Sequence, residues 1–168
     1  MAGIVVCPFT IIVDNREQQP WTFRGIKADA RQQHRPMEIP WEWGTLKEGD
    51  YSIKGMESLV CIERKSLADV FGSCGAGRER FEREHQRMAM LAYAAVLIEA
   101  DWQTILKDPP EHTKLKPKCI FRTAISWAQR YGVQWWAMPG RRAAELCCFR
   151  MLEKFWDEQA RQSSKSAM

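Results

Sequence analysis

Asp50, Glu63 and Lys65 lie in one segment, GDYSIKGMESLVCIERKSLAD, which runs from Gly49 to Asp69. The stretch Leu59 to Lys65 reads as a β-strand, in which alternate side chains share a face. Leu59, Cys61, Glu63 and Lys65 then point one way, and Val60, Ile62 and Arg64 the other. Asp50 to Lys54 reads as the other strand of a hairpin, with Gly55 near the turn. A turn at Met56-Glu57 places Asp50 directly across from Glu63, Tyr51 across from Ile62 and Ile53 across from Val60. Opposed Cβ atoms in such a ladder lie ~4.5–5.5 Å apart, a distance at which two carboxylates repel each other. A hard divalent cation between them removes that penalty. Asp14, at the end of an upstream strand, offers a third acid, and Lys65 brings an ammonium that orients a water or holds a phosphate. Acids that hold Mg2+ or Mn2+ beside a lysine are equipment for phosphodiester hydrolysis, because the ion polarises the phosphoryl oxygen and favours ionisation of the attacking water. The competing reading is a solvated face with a weak ion pair. It loses weight here because Glu63 and Lys65 share a face with Cys61 in an apolar strand, where charges need partners.

Several elements must hold these groups in place. Thr10 to Val13 is a β-branched run ending at Asp14 and predicts a strand, and Glu38 to Trp43 predicts a short one. Between them, residues 24–37 (RGIKADARQQHRPM) read as a long basic loop or a poorly ordered excursion carrying Arg24, Lys27, Arg31 and Arg35. Phe81, His85, Met88 and Ala92 recur at helical spacing and predict a helix over 78–92. The apolar run 94–99 predicts a buried strand, and Asp101 a cap for a short helix after it. Pro109 and Pro110 interrupt the chain before a helix over 120–131 that Gly132 stops. A strand over 133–138 and a helix over 141–156 complete the domain, with a disordered tail expected from Gln159. Strands alternating with helices in this way predict a single α/β domain, residues 1–158, with a central mixed β-sheet flanked by α-helices.

Composition narrows the classes. With 168 residues, 45% hydrophobic and 27% charged, the chain is long and apolar enough for one core without disulfide or metal staples. No apolar run approaches the ~20 residues of a membrane span, and MAGIVVCPFT lacks the basic n-region of a secretory signal. The expected location is therefore cytoplasmic, and no membrane partner is expected. Six cysteines without a CxxC pair, and only three histidines, argue against zinc and for reduced, mostly buried thiols. The net charge of +4 permits a polyanionic partner without requiring one.

VDNRE (13–17), GDY (49–51) and IERKSLAD (62–69) together resemble the signature of the XPF/Mus-type structure-specific nuclease domain, the GD…ERKxxxD family, over roughly residues 10–138. The resemblance implies a restriction-endonuclease-like fold. It also implies a metal-dependent DNA endonuclease acting on branched, flapped or nicked DNA in repair or recombination. Position by position, Asp50 and Glu63 match the metal-binding acids, Asp14 an acid lining the same site, and Lys65 the catalytic lysine. Arg64 matches the active-site arginine beside it, Asp69 the last acid of the motif, and Arg16 and Glu17 polar positions of the first motif. Arg80 matches the arginine of an Arg-x-x-x-Gln element, in which Glu84 stands where Gln is usual. Arg16, Arg64 and Arg80, with Arg78 nearby, are thereby expected to contact DNA phosphates. Two of these residues have a second reading from spacing alone. Asp69 stands three residues after Ser66 in capping-box spacing, and Arg78 and Arg80 pair as helix-face charges with Glu82 and Glu84. Larger relatives carry a tandem helix-hairpin-helix domain after the nuclease domain. This sequence resembles a stand-alone bacterial or phage nuclease domain, with nucleoid DNA, a homodimer or a separate DNA-binding chain as expected partners. A non-catalytic DNA-binding or partner subunit is the alternative function, disfavoured because each acid and the lysine are present.

Overall fold

A computed structural model describes residues 3–166. Its centre is a six-stranded sheet whose spatial order is β4 (Trp41–Gly44), β2 (Ile11–Asp14), β5 (Tyr51–Ile53), β6 (Val60–Lys65), β7 (Tyr93–Ile98) and β8 (Gln134–Ala137). β5 is antiparallel to β2 and β6, and the other neighbours are parallel, so the sheet is mixed. β1 (Val5–Val6) and β3 (Met37–Glu38) pair separately in parallel.

Each face of the sheet carries its own core. On one side lie α1 (Leu67–Cys74), α2 (Arg78–Met88), α3 (Trp102–Lys107) and α4 (Pro117–Tyr131). Their Val70, Phe81, Ile105 and Trp127 pack with Cys61, Val96 and Ile98. On the other side α5 (Arg141–Ser166) packs Ala144, Cys148, Phe149 and Leu152 against Ile11, Tyr51, Ile62 and Leu97. β7 is buried on both faces, which explains its unbroken apolar run. β6 alternates as its sequence predicts: Cys61 enters the first core, and Val60 and Ile62 the second. Among the described residues no helix is long and apolar enough to cross a membrane, and all six cysteines are free thiols.

Several boundaries differ from the sequence expectation. α2 stops at Met88 rather than Ala92, because Tyr93 N–H already bonds the Leu59 carbonyl as β7 enters the sheet. α4 starts at Pro117, the helix position that tolerates the missing N–H. α5 continues ten residues beyond Trp156, so residues 159–166 form helix where a disordered tail was expected, while 167–168 lie outside the described residues. An Arg161–Glu158 ion pair one turn apart supports that extension. The basic excursion 24–37 is tied down: Ile26 and Ala28 are buried, Lys27 bridges Pro36, and Arg150 bonds the Lys27 carbonyl.

His85 sits fully buried among the rings of Phe81, Trp127 and Trp135. Its Nδ1 lies 2.9 Å from the Phe81 carbonyl oxygen, and its Nε2 has no hydrogen-bond partner among the described residues. Burial pushes its pKa down from 6.5 to about 4. The unfolded chain therefore takes up a proton before the folded one does. Stability from this group is complete above pH 6.5 and declines as the pH falls toward 4. His85→Phe keeps the ring packing and removes the titrating nitrogen. Urea unfolding should show a shallower acid loss between those pH values for the variant; an unchanged slope would assign the loss to other groups.

Candidate active site

At one end of the sheet the segments 16–19 and 47–50, the end of β6, α1 and α2 enclose a cavity of about 910 Å³ whose wall includes Asp50, Glu63, Lys65, Arg80 and Glu84. The β5–β6 ladder contains the predicted Tyr51–Ile62 pair. Side chains tie the chain on either side of it. Ser52 Oγ donates to the Val60 carbonyl at 2.6 Å. Asp50 N–H donates to the Ile62 carbonyl at 2.9 Å, and Arg64 N–H donates to Asp50 Oδ2 at 2.8 Å. Direct Asp50–Glu63 and Ile53–Val60 ladder pairs are not among those of this sheet. The two acids share the cavity instead, with the Asp50 carboxylate accepting from a strand N–H of β6 in place of a carbonyl.

Gly49 makes this approach possible. Its φ is +73°, and a Cβ there would lie 2.8 Å from Cys61 Cβ and 3.1 Å from the Ile62 oxygen. Both the left-handed backbone and the close strand contact favour glycine. Gly49→Ala should cost about 1–3 kcal/mol in urea unfolding. A cost within about 0.5 kcal/mol, as at an indifferent surface position, would show that β5 and β6 are not pressed together here.

Glu63 Oε1 accepts from Lys65 Nζ at 2.6 Å, and that Nζ lies 4.7 Å from the centroid of the Phe81 ring. Burial alone would lower the Lys65 pKa, but the charge and hydrogen bond of Glu63 raise it above its ordinary value. Burial, then the nearby Glu63 charge, hold the Asp50 carboxyl well above the usual carboxylate range. Glu84 is raised for the same two reasons, against the pull of Lys65 and Arg80. Among the described residues, Asp50 Oδ1 and Glu63 Oε2 accept no hydrogen bond. Two hard oxygens left free in a site of mutual repulsion fit a small divalent cation.

The other predicted residues divide. Asp14 does not join the pair. It is buried, and its oxygens accept from Arg16 Nε at 2.6 Å and Leu46 N–H at 2.7 Å, bonds that outweigh burial and lower its pKa. Among the described residues, no three acids, histidines or cysteines gather to hold a metal ion. Arg64 and Glu17 both line the cavity, but the Arg64 side chain is only 8% exposed and lies over Trp21 on the other side of β6. Its Nε and Nη2 donate to Glu99, and its Nη1 to Glu17, at 2.8–3.2 Å. Those two acids raise its pKa against burial. Asp69 lines the cavity but serves the α1 capping box, accepting from Ser66 Oγ at 2.6 Å. Arg78 does not line the cavity; it donates to Thr123 and lies over Trp127. Arg80 does line it, and it makes no ion pair or hydrogen bond among the described residues. The expected Arg80–Glu84 pairing is thus a charge interaction without a bond. Arg16 is anchored to Asp14 and the Leu46 carbonyl, yet its side chain remains 71% exposed at the cavity rim.

Two residues at or beneath the site carry no site role in the sequence expectation, although Glu84 stands out there as a departure from the motif. Glu84 follows Arg80 by one helical turn and precedes Arg87 by three residues, a charged stripe that faces the cavity. Glu99, just past the apolar run of β7, collects Arg64, Arg141 and Trp21 Nε1. Nothing in its local sequence marks it, because its partners come from distant segments.

No family model and no curated relative matches this sequence. Among solved structures, XPF from Aeropyrum pernix superposes over 94% of this chain and 68% of its own, with a TM-score of 0.61 and 15% identity. In fold, this chain is similar to XPF. The same is true of XPF from Aeropyrum pernix in complex with DNA, with a TM-score of 0.60 and 14% identity over 90% of this chain and 66% of that one. The chain thus spans about two thirds of the length of these XPF structures. The architecture is restriction-endonuclease-like, as the family resemblance implies.

Proposed function

We propose that this protein is a divalent-metal-dependent DNA endonuclease acting on branched, flapped or nicked DNA in repair or recombination. The observation that carries this reading is the meeting of Asp50 and Glu63 in one open cavity, each with a free oxygen and with Lys65 bonded to Glu63. The XPF-like fold supports it, and one of the similar structures is a complex with DNA. Asp50 and Glu63 would hold Mg2+ or Mn2+, whose Lewis acidity stabilises charge on the phosphoryl oxygens. Lys65 is bonded to Glu63 through one of its three N–H donors; the others are available to the attacking water or to a phosphoryl oxygen. Arg80 supplies a free guanidinium for a flanking phosphate, and exposed Arg16 a second at the rim. Arg64 acts at one remove. Its backbone N–H orients Asp50, while its side chain locks the strand from the opposite face.

Cleavage of linear, flapped, forked and four-way DNAs in Mg2+ or Mn2+, wild type beside Glu63→Gln, tests the reading. Wild type should cut at least one branched substrate, and the variant should be slower by about 10³-fold or more. Equal product from both would remove Glu63 from the reaction. DNA binding without cleavage by wild type would favour a partner subunit.

A further inference from the structure

The active-site cavity does not end at the catalytic acids. It reaches Ala68 and Gly72 on the exposed face of α1, and these residues also line a second cavity of about 780 Å³. That second cavity lies between the α1–α2 junction and the segment 110–115. The residues on the dividing face are too small to form a barrier, and a Cβ at Gly72 would meet nothing within 4 Å. On the far side of α1 the lining mixes Pro110 and Leu115 with Glu111, His112 and Lys114, and Lys116 follows just outside it.

The chain that supplies this wall is basic in sequence on either side of it. Residues 107–122 carry Lys107, Lys114, Lys116, Lys118 and Arg122 against Asp108 and Glu111. All five cations are exposed, and none makes an ion pair or hydrogen bond among the described residues. The basic excursion 24–37 is placed differently: it packs with α5 on the other side of the sheet, and its cavity shares no residue with the active-site cavity. A duplex presents phosphates and groove edges and gains little from an apolar lining. An unpaired strand exposes base faces as well as phosphates, which is the combination this second cavity complements.

We propose that an unpaired strand of the DNA substrate leaves the active site over Ala68 and Gly72 and lies in the second cavity. Lys114 and Lys116 neutralise its phosphates, and its bases rest on Pro110 and Leu115. This rests on the nuclease reading above and adds the path that distinguishes a flapped from a continuous duplex.

The test uses the full chain with Glu63→Gln, so that binding is read without cutting. Fluorescence anisotropy compares a labelled duplex bearing a single-stranded arm with the same duplex lacking the arm. Adding Lys114→Glu and Lys116→Glu should weaken binding of the armed DNA roughly tenfold and flatten its log K against log salt slope by about 1.4, ~0.7 per lost contact. The armless duplex should change by less than about twofold. Gly72→Leu, which fills the crossing and suits a helix better than glycine, should weaken the armed DNA selectively without lowering the melting temperature. Equal losses on both DNAs, no loss on either, or no preference of the parent protein for the armed DNA would overturn the path. Cleavage by wild type is scored separately, so a failed path and a failed nuclease reading give different results.

Discussion

Lys65→Met should slow DNA cleavage by about 10²–10⁴-fold while changing DNA affinity far less, the pattern of a group acting on the reacting atoms. Methionine keeps an unbranched apolar stem but not the ammonium that lies over Phe81 and bonds Glu63 at 2.6 Å. The same variant leaves the Glu63 charge closer to that of Asp50 in effect, because nothing then offsets it. Lys65→Arg should not restore the rate, since a planar fork cannot occupy the place of a compact ammonium between Glu63 and the Phe81 ring. Because the Lys65 pKa is raised above 10.5, its ionisation should impose no alkaline limb on the rate below that pH. Single-turnover cleavage across pH checks both statements. A Met variant within about tenfold of wild type would assign Lys65 a structural role only.

The largest effect on stability is expected at Arg64. Its guanidinium and the carboxylates of Glu17 and Glu99 are each less than 10% exposed, so Arg64→Ala strands Glu17 in the interior without an ion-pair partner among the described residues and leaves Glu99 with Arg141 and Trp21 Nε1 alone. Removing one partner of a buried ion pair costs about 3–5 kcal/mol. Arg64→Ala combined with Glu17→Gln and Glu99→Gln should recover a large part of that loss, because the stranded charges are then gone. Urea unfolding of the single and triple variants decides the matter. A single-variant cost below about 1 kcal/mol would mean that the pairs are solvated and weak.

Arg64 also shows where sequence reasoning ends. Strand alternation placed it opposite Glu63, and the structure agrees. Its motif neighbourhood nevertheless implied contact with substrate, because the acids that claim it, Glu17 and Glu99, are 47 and 35 residues away. Local patterns were legible where they are governed by local physics. The period of two in β6, the Asp101 cap, the Ser66–Asp69 capping box and the Gly132 stop all follow from neighbouring residues. The Tyr51–Ile62 register was legible because matched apolar positions set it. The fate of Asp14 was not, since the Leu46 N–H that helps to occupy its carboxylate arrives from 32 residues downstream. Glu84 was visible as a departure from the Arg-x-x-x-Gln pattern, but only the packing of α2 turns it toward the cavity. The extension of α5 escaped because its last turns are polar all round and carry no apolar stripe to read.

Mn2+ binding by calorimetry to the wild-type chain, Asp50→Asn and Glu63→Gln tests the shared oxygen site most directly. Wild type should bind the ion, and each single variant should bind it at least about tenfold more weakly, since either change takes a charged ligand from the same site. Equal affinity in all three proteins would place the ion elsewhere and contradict a cation held between these two carboxylates.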